Sequence, residues 1–281
     1  MKGQRWKGIM KCYPFEEKRL EKWKPPYIVQ PKFDGDRCVN EPLENTSVLL
    51  TSEENPYFSV PHINIQLEQS GLYRLPLDGE LYHHGYFQVG GHEFIHSICS
   101  RTVNLHPKHK DMEYWIFDLK IPDTPQIERL KLLNSLGKLP PNIKMAPYWV
   151  CESLDDIKRI YDDIIKKGFE GIIIRHLHAP YVEKRSTFVM KFKPKRQDTY
   201  LIVGWNEEIS IDGTPKGRIG SLILESQIGD TFAVSAGLND EDRETLWGLR
   251  DHLAGHKAIV HYQHMTNRQI PKGCFDIEVL M

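Results

Sequence analysis

The sequence predicts an α+β chain of two domains, in which a domain built on a mixed or antiparallel sheet precedes a small β-barrel domain. At 281 residues the chain exceeds the usual length of one domain, roughly 100–200 residues. Strand-like segments and two amphipathic helices fill the chain up to about residue 195, and short strands with a single helix follow. We therefore expect domains at 1–196 and 197–281.

The composition indicates ordinary hydrophobic cores and no disorder, with 40% hydrophobic, 10% aromatic and 27% charged residues. The formal net charge is -1, so a surface that binds nucleic acid would have to be local. No apolar run approaches the ~18 residues of a membrane span, and the first residues lack the apolar core of a signal peptide. We expect a cytoplasmic protein, or one of the host cytoplasm if the source is viral, without a membrane partner.

The cysteines predict neither a disulfide framework nor a structural zinc site. They are odd in number and contain no C-x-x-C pair; they are Cys12, Cys38, Cys99, Cys151 and Cys274. We expect reduced, mostly buried thiols.

The strands of the first domain are predicted from β-branched and apolar residues between turn signals. They span 27–39, 43–51, 75–82, 85–90 and 112–120, and later 171–176 and 188–195. Between these two groups lie two amphipathic helices, at 122–137 and 153–168. In the second helix Ser153 is the expected N-cap, and Ile157, Ile160 and Ile164 share one face.

The second domain begins after a polar joint at 196–200. Short strands are predicted at 201–205, 220–226, 231–237 and 257–263, with a helix at 240–253. Several short strands, glycine-rich turns and one helix in 85 residues are typical of a small Greek-key barrel of OB type.

The segment VQPKFDGDRC, residues 29–38, raises the question of what its lysine does. Lys32 stands at a strand end beside an Asp-Gly turn whose backbone can approach a ligand closely. A lysine is a nucleophile when its pKa is lowered by desolvation and nearby cations, and Arg37, Lys191 and Lys193 are candidate cations. Taken alone, such a turn is more often a solvated hairpin.

Four further motifs follow in order: Asp78-Gly79-Glu80-Leu81, Phe117-Asp118, Glu170-Gly171-Ile172-Ile173-Ile174-Arg175 and Lys191-Phe192-Lys193. Together with the Lys-x-Asp-Gly-x-Arg stretch at 32–37, this set resembles the covalent nucleotidyltransferase superfamily of ATP-dependent DNA ligases, RNA ligases and mRNA capping enzymes. The first domain is accordingly expected to be the nucleotidyltransferase domain.

The resemblance implies the catalytic roles. Lys32 would attack the α-phosphate of ATP and form a lysyl-AMP intermediate, while Lys191 and Lys193 would bind that phosphate. Glu80 and Glu170 would hold Mg²⁺ or Mn²⁺, a hard cation that prefers oxygen ligands.

The resemblance also implies which residues contact the nucleotide. Gln30 would help to recognise the base, Arg37 would contact the ribose or the nucleic-acid end, and Glu80 would lie near the ribose. Phe117 would stack on the base, with Tyr114 as a substitute. The implied ATP-binding set is Gln30, Lys32, Arg37, Glu80, Phe117, Glu170, Lys191 and Lys193.

The second half is similar to the OB domain of ATP-dependent DNA ligases, through Gly237, Asp240 and Arg243 among others, so the resemblance runs from residue 27 to about 265. We expect a minimal, monomeric ligase of the bacteriophage or bacterial accessory kind that seals nicks in duplex DNA. The residues expected to face DNA phosphates are Arg37, Lys184, Arg185, Lys195, Arg196, Lys216 and Arg218, with Lys2, Arg5 and Lys7.

Two motifs depart from the ligase pattern. Residues 51–54 read Thr-Ser-Glu-Glu where ligases carry a Ser-Arg or Thr-Arg pair for the 5′-phosphate, so Arg74 or Arg101 would have to substitute. The C-terminal Arg-x-Asp-Lys motif is also missing, with Arg268 and Lys272 as stand-ins.

Other interpretations remain open at this point. An RNA ligase, a GTP-using capping guanylyltransferase or a non-catalytic OB-containing nucleic-acid-binding protein would share much of the pattern. Residue by residue, Glu170 is alternatively a solvated helix cap, Lys191 and Lys193 the outer face of an edge strand, and Phe117 a core residue.

Overall fold

The computed structural model describes residues 8–266 and 268–280, and the chain divides into two compact units, Met1–Lys193 and Pro194–Met281. The side chain of His264 is not described. Lys2, Arg5 and Lys7, which were predicted to contact DNA, lie outside the described residues.

The described part of the first unit contains two sheets and several helices. Its strands are β1 (Lys11–Pro14), β2 (Tyr27–Lys32), β3 (Asp36–Pro42), β4 (Ser47–Leu50), β5 (Leu77–Tyr82), β6 (Glu113–Leu119), β7 (Ile143–Met145), β8 (Trp149–Cys151), β9 (Gly171–His176) and β10 (Arg185–Phe192). Its helices are α1 (Glu17–Leu20), α2 (Pro61–Ser70), α3 (His84–Cys99), α4 (Gln126–Asn134) and α5 (Leu154–Lys166), with 3₁₀ turns at Leu72–Arg74 and His109–Asp111. Across the described residues no helix combines the length and apolar character needed to cross a bilayer.

The first sheet has the strand order β1-β10-β9-β2-β8 and separates two environments. Because side chains alternate along a strand, Tyr27 and Val29 of β2 face one side while Ile28 and Lys32 face the other. Tyr27 and Val29 belong to a core cluster that includes the apolar face of α5, whereas Ile28 belongs to the larger core of the unit.

Helix α5 matches its prediction closely. The Ser153 hydroxyl accepts a hydrogen bond from the Asp156 N–H at 3.1 Å, which makes Ser153 the N-cap. Ile157, Ile160 and Ile164 are buried on the face that packs against the sheet.

The second sheet has the order β4-β3-β5-β6-β7 and contributes most of the larger core. The predicted strand 27–39 is in fact the two strands β2 and β3, joined by the turn at 33–35. A Cβ atom on Gly35 would lie 2.2 Å from the carbonyl oxygen of Leu81, so only glycine lets this turn approach β5.

The predicted strand at 85–90 is wrong, because these residues lie in α3. The apolar residues of this segment are Tyr86, Phe87 and Val89. They begin a helix whose buried residues are Ile95, Ile98 and Cys99. Gly91 has φ +63° and ψ -168°, which kinks the helix and separates its two halves. Helix α2 was not predicted at all.

The cysteines are free thiols, as predicted. Cys38, Cys99 and Cys151 are buried, and the other two are partly exposed.

The described part of the second unit contains β11 (Arg196–Ile209), β12 (Pro215–Glu225), β13 (Thr231–Val234), β14 (Lys257–Tyr262), β15 (His264–Met265), β16 (Pro271–Lys272), β17 (Asp276–Leu280) and α6 (Asp240–Gly248), with a 3₁₀ turn at Arg250–His252. Five strands form a sheet of order β13-β12-β11-β14-β17. Within 194–266 and 268–280 the edge strands β13 and β17 do not pair, so the predicted closed barrel is not confirmed.

The Gly237-x-x-Asp240-x-x-Arg243 stretch has a structural function in this unit. Gly237 has φ +88°, and a Cβ atom on it would lie 2.5 Å from the Asp276 carboxylate. The Arg243 guanidinium donates to the carbonyl oxygens of Ile219 and Gly220 at 2.8 and 2.7 Å, which fastens α6 to β12.

A buried arginine docks α4 onto the second sheet. Arg129 is fully buried and its Nε donates to Asp118 Oδ1 at 2.7 Å, at the end of β6. The carbonyl oxygens of Thr124 and Ala179 accept hydrogen bonds from the same guanidinium. A buried, fully bonded charge pair of this kind is costly to break from one side.

We expect Arg129→Met to lower the free energy of unfolding by about 3–5 kcal/mol, because the substitution leaves the buried carboxylate of Asp118 with one charged partner fewer. Arg159→Met is the matched control, since Arg159 pairs with Asp156 on the exposed side of α5 and its side chain is 70% exposed. The control should change stability by less than about 0.5 kcal/mol. Equal losses in chemical denaturation of the two variants would contradict this role of Arg129.

Candidate active site

A cavity of about 660 Å³ lies in the first unit, within the range of ~300–1,000 Å³ typical of ligand pockets. It is lined by five of the residues predicted to bind the nucleotide, namely Gln30, Lys32, Arg37, Glu80 and Phe117. The cavity is therefore large enough for a nucleotide, and its wall carries the predicted residues.

Strand register explains how these side chains meet. Gln30 and Lys32 of β2 lie opposite Ile173 and Gly171 of β9, and Ile173 lies opposite Lys191 of β10. Directly opposed residues in antiparallel strands project from the same face, so Gln30, Lys32 and Lys191 share the face that lines the cavity. Strand β10 lies between β1 and β9, so the alternative that Lys191 and Lys193 lie on an edge strand is wrong.

Glu170 joins two of the predicted lysines. The Lys32 Nζ atom lies 2.5 Å from Glu170 Oε2, and the Lys193 ammonium contacts Glu170 Oε1. Glu170 is only 8% exposed, so the alternative that it is a solvated helix cap is wrong. Burial alone would raise the pKa of Glu170, but the charges of Lys32 and Lys193 lower it below its ordinary value. The carboxylate is thus ionised between two amines.

The pKa of Lys32 is shifted in the direction opposite to the one expected from the sequence. Burial would lower it, but the charges of Glu170, Glu80 and Asp34 raise it above the ordinary lysine value. Lys193 behaves differently: burial and the neighbouring charge of Lys32 lower its pKa. In the ligand-free site Lys32 is therefore a protonated amine, held by carboxylates.

Glu80 is the second carboxylate of the site. Burial raises its pKa to about 7, although the charges of Lys32 and Arg37 act in the other direction. Its Oε1 atom accepts a hydrogen bond from the Gly35 N–H at 3.2 Å. The oxygens of Glu80 and Glu170 are hard ligands of the type that Mg²⁺ prefers.

Arg37 is held firmly in the cavity wall. Its Nε and Nη2 atoms donate to the two oxygens of Asp78 at 2.7 and 2.6 Å. Asp78 also accepts a hydrogen bond from the Tyr181 hydroxyl at 2.7 Å. The guanidinium lies 4.7 Å from the centre of the Phe117 ring, so it forms part of the surface around that ring.

The inner end of the cavity is a network of buried polar groups. Gln30 is 1% exposed, and its amide donates to the carbonyl oxygen of Phe117 at 3.0 Å. The side-chain oxygen of Gln30, Oε1, accepts a hydrogen bond from Arg175 Nε at 2.8 Å. Arg175 Nη1 in turn donates to Asp118 Oδ2 at 3.0 Å. Asp118 is the carboxylate that also binds Arg129. The position of Gln30 thus depends on three charged residues in contact with one another, Arg175, Asp118 and Arg129 of α4.

The structure separates the two candidate base-stacking residues. Phe117 lines the cavity and is 8% exposed, with Arg175 at 5.4 Å from its ring centre. Tyr114 is fully buried, and its hydroxyl donates to the carbonyl oxygens of Cys38 and Leu77. Tyr114 is therefore a core residue, and the prediction that it could substitute for Phe117 is wrong.

Sequence reasoning assigned no role to Asp78, Asp118, Arg129 or Arg175. A signal was present for two of them. Asp118 follows four apolar or aromatic residues in β6, and Arg129 shares the buried face of α4 with Leu130 and Leu133. A charge at a position that the periodicity assigns to the core indicates a buried ion pair.

The cavity wall also includes the segment that departs from the ligase pattern. Thr51, Ser52 and Glu53 line the cavity together with Arg101. Arg74 lies over the ring of Tyr73 at 4.6 Å and is not among the residues that line the cavity. Of the two expected substitutes, only Arg101 is placed at the cavity.

Of the predicted DNA contacts in the described part of the first unit, Arg37 lies in the cavity wall, and Lys184 and Arg185 lie at the beginning of β10. Lys184 and Arg185 are exposed, and the Arg185 guanidinium donates to the carbonyl oxygen of Cys12 at 2.6 Å. In the second unit Lys195 and Arg196 are exposed as well.

The other two predicted DNA contacts are engaged in ion pairs within the second unit. Lys216 and Arg218 both contact Glu208, at 2.6 and 2.7 Å, and the hydrogen bond from Arg218 is the main cause that lowers the pKa of Glu208 to about 2. Arg268, a predicted stand-in for the missing C-terminal motif, pairs with Asp230 at 2.7 Å. A negative charge therefore accompanies each of these three cations.

Comparison with known proteins identifies the family. Residues 10–193 match the family model described as ATP dependent DNA ligase domain. A DNA ligase of Archaeoglobus fulgidus is 27% identical over 266 residues, which covers 89% of this chain and 46% of that protein. A DNA ligase of African swine fever virus (isolate Pig/Kenya/KEN-50/1950) is 27% identical over 262 residues, which covers 85% of this chain and 59% of that protein. The chain thus spans about half the length of these relatives.

Solved structures show the same fold. A structure from a study of Lig E DNA ligases superposes with a TM-score of 0.78 at 19% identity, covering 97% of this chain and 99% of that chain. The ATP-dependent DNA ligase from bacteriophage T7, in complex with ATP, superposes with a TM-score of 0.54 at 15% identity, covering 98% of each chain. The family match over 10–193 establishes that this chain belongs to the ATP-dependent DNA ligase domain family.

Proposed function

We propose that the chain is an ATP-dependent DNA ligase that seals nicks in duplex DNA through a lysyl-AMP intermediate. The observation that carries the proposal is the convergence of Lys32, Glu170 and Lys193 beside a nucleotide-sized cavity. A lysine at the cavity wall, beside a carboxylate and a second amine, would provide both a nucleophile and positive charge for a phosphoryl group.

In the first step the Lys32 Nζ atom attacks the α-phosphorus of ATP. A nitrogen–phosphorus bond forms, the bond to the bridging oxygen breaks and pyrophosphate leaves. The protonated amine gives up two protons to solvent in this step and keeps one N–H. Lys193, and Lys191 on the same sheet face, would place positive charge on the oxygens of that phosphate. Phe117 and Gln30 would contact the base at the inner end of the cavity.

Activation of Lys32 requires the negative charge around it to be offset. The carboxylates of Glu80 and Glu170 fit a hard divalent cation, Mg²⁺ or Mn²⁺, because they offer oxygen ligands whose charges act on the Lys32 amine; Glu80 is partly buried and Glu170 is buried. Such a cation would supply positive charge that lowers the pKa of Lys32. Glu170 would hold the amine through its hydrogen bond, and the proton would leave to solvent, because the pKa of Glu170 is lowered and its oxygens are proposed metal ligands.

The remaining steps use the same residues. An oxygen of the 5′-phosphate at the nick attacks the phosphorus of AMP, the nitrogen–phosphorus bond breaks, and Lys32 regains its proton. The 3′-OH then attacks the 5′-phosphorus, closes the phosphodiester bond and releases AMP. Arg101, which lines the cavity together with Thr51 and Ser52, would provide the cation that binds the 5′-phosphate.

The proposal extends to the partner and the domains. Residues 1–196 would be the nucleotidyltransferase domain, and 197–281 an OB-fold domain built on the sheet from β11 to β17. Exposed Lys184, Arg185, Lys195 and Arg196 would bind backbone phosphates without reading sequence. We further propose a monomeric enzyme of the bacteriophage or bacterial accessory kind, in the cytoplasm or host cytoplasm, that acts in replication, repair or recombination.

The first test is covalent labelling of the chain. Incubation with Mg²⁺ and α-labelled ATP should leave one acid-stable AMP adduct on Lys32, and Lys32→Ala should abolish it because the nucleophile is lost. Lys195→Ala, which removes an exposed lysine, is the matched control and should label normally. Full labelling of the Lys32→Ala protein would remove Lys32 from its role.

The same assay separates the alternatives. Labelling by GTP and not by ATP would indicate a capping guanylyltransferase. The labelled protein should convert nicked duplex DNA to the sealed product, and a preference for an all-RNA nick over all-DNA and hybrid nicks would indicate an RNA ligase. Absence of both labelling and sealing would leave a non-catalytic nucleic-acid-binding protein.

A second prediction concerns the charge state of Lys32 without nucleotide. Glu170→Gln removes the main charge that raises the pKa of Lys32. At pH 8 we expect the amine to react about tenfold faster with an amine-modifying reagent, which corresponds to a pKa lower by about one unit. Mass spectrometry of the Lys32 peptide measures this rate, with the Lys195 peptide of the same sample as internal control. An unchanged rate at Lys32 would contradict the proposed charge coupling.

A third prediction follows from the raised pKa of Glu80. Because the pKa in the folded protein is about 7 against an ordinary value of 4.5, the folded state binds the proton more tightly, and stability falls as the pH rises through this interval. Glu80→Gln should therefore stabilise the ligand-free protein by about 1 kcal/mol at pH 8, or about 2–4 °C in melting temperature. The gain should largely vanish at pH 5 in thermal unfolding, and an equal gain at both pH values would refute it.

A further inference from the structure

The cavity wall contains a group of residues that the ligation chemistry does not use. Asp36 is the first residue of β3, directly after the Gly35 turn, and it is 9% exposed. His92 and His96 lie one turn apart on the second half of α3. All three residues line the same cavity as Lys32.

The two histidines converge on the Asp36 carboxylate. His96 Nδ1 lies 3.0 Å from Asp36 Oδ1 and 2.9 Å from Oδ2, and His92 Nε2 lies 3.3 Å from Oδ1. The two imidazole rings are nearly parallel, with centres 5.7 Å apart and an angle of 12°. The kink at Gly91 begins the helical segment that carries both rings on one face.

We propose that Asp36, His92 and His96 form a binding site for one transition-metal cation, with Zn²⁺ as the preferred ion. Two imidazole nitrogens and one carboxylate oxygen are a ligand set that suits Zn²⁺, whereas Mg²⁺ prefers oxygen ligands alone. The three ligand atoms lie within 4.8 Å of one another. The site is therefore chemically distinct from the carboxylates Glu80 and Glu170.

The spacing of the ligand atoms matches bound zinc. Bonds of about 2.0–2.1 Å in a tetrahedral site place neighbouring ligand atoms about 3.3 Å apart. One carboxylate oxygen, Asp36 Oδ1, lies 3.0 Å from His96 Nδ1 and 3.3 Å from His92 Nε2, close to this separation. All three ligand atoms lie within 4.8 Å of one another, so small side-chain rotations would bring them around one ion.

The proposed cation would have two effects on the site. It would bridge α3 to the beginning of β3, four residues after Lys32 in the chain. Three protein ligands also leave a coordination position for water or for an oxygen of a molecule in the cavity, such as a phosphate.

Zinc binding is measurable without nucleotide or DNA. The tag-free, metal-stripped protein should bind one Zn²⁺ per chain in a calorimetric titration with 5 mM Mg²⁺ present. The double variant His92→Ala/His96→Ala should bind this ion at least tenfold more weakly, because two of its three ligands are missing. Circular dichroism verifies that the variant is folded, and Asp36→Asn, which keeps the side-chain shape, should weaken binding as well.

The matched control is His252→Ala/His256→Ala. This pair has the same H-x₃-H spacing, but both residues are exposed on a 3₁₀ turn and the segment after it, and among the described residues they do not join a carboxylate in a metal-binding group. The control should bind Zn²⁺ like the wild type, which also accounts for any ion held by the free thiols.

Either of two results would overturn the proposal: no Zn²⁺ bound by the wild type at micromolar concentration, or equal affinities in the two double variants. Because the titration contains neither ATP nor DNA, its outcome is independent of the ligase assays. A chain that binds Zn²⁺ but seals no nick would refute only the proposed function.

Discussion

The contact of one buried carboxylate with two amines is the interaction on which the rest of the site depends. Glu170 lies at the beginning of β9, opposite the end of β2, and its two oxygens contact Lys32 and Lys193 from different strands. Each of these charges would be costly to bury alone, and together they can be held at the cavity wall. The same contact raises the pKa of Lys32, so the arrangement that positions this amine also keeps it protonated in the absence of a ligand.

A second buried charge network supports the other end of the cavity. Asp118 binds Arg129 of α4 and Arg175 of β9, and Arg175 in turn holds the side-chain amide of Gln30. The orientation of Gln30 in the cavity wall therefore depends on charged residues far along the chain that also stabilise this unit. The cavity wall therefore includes Lys32 and Gln30, one from each network, together with Asp36, His92 and His96.

The motifs located the site well because each is local. A lysine at a strand end, a carboxylate after a helix and two alternating lysines can be read from short stretches, and the structure brings Lys32, Glu170 and Lys193 together. The helix at 84–99 could not be read in the same way. Residues 85–90 are a short, largely apolar run between glycines, which a local pattern cannot assign to strand or helix. The residues that indicate a helix, the buried Ile95, Ile98 and Cys99, follow only after the kink at Gly91. The barrel shape of the second unit depends on edge pairing between distant strands, which no local pattern encodes.

The sequence by itself determined the family resemblance, helix α5, the strands that carry most of the motifs, and the residue types available for chemistry. Only the tertiary structure decided the charge state of those residues. Lys32 was expected to be surrounded by cations, yet its nearest partner is the carboxylate of Glu170, 138 positions away in the chain. The distances between charges and their burial set a pKa, and both arise from contacts between strands far apart in sequence. The meeting of Asp36 with His92 and His96 has the same origin, since a turn and a kinked helix bring them to one point.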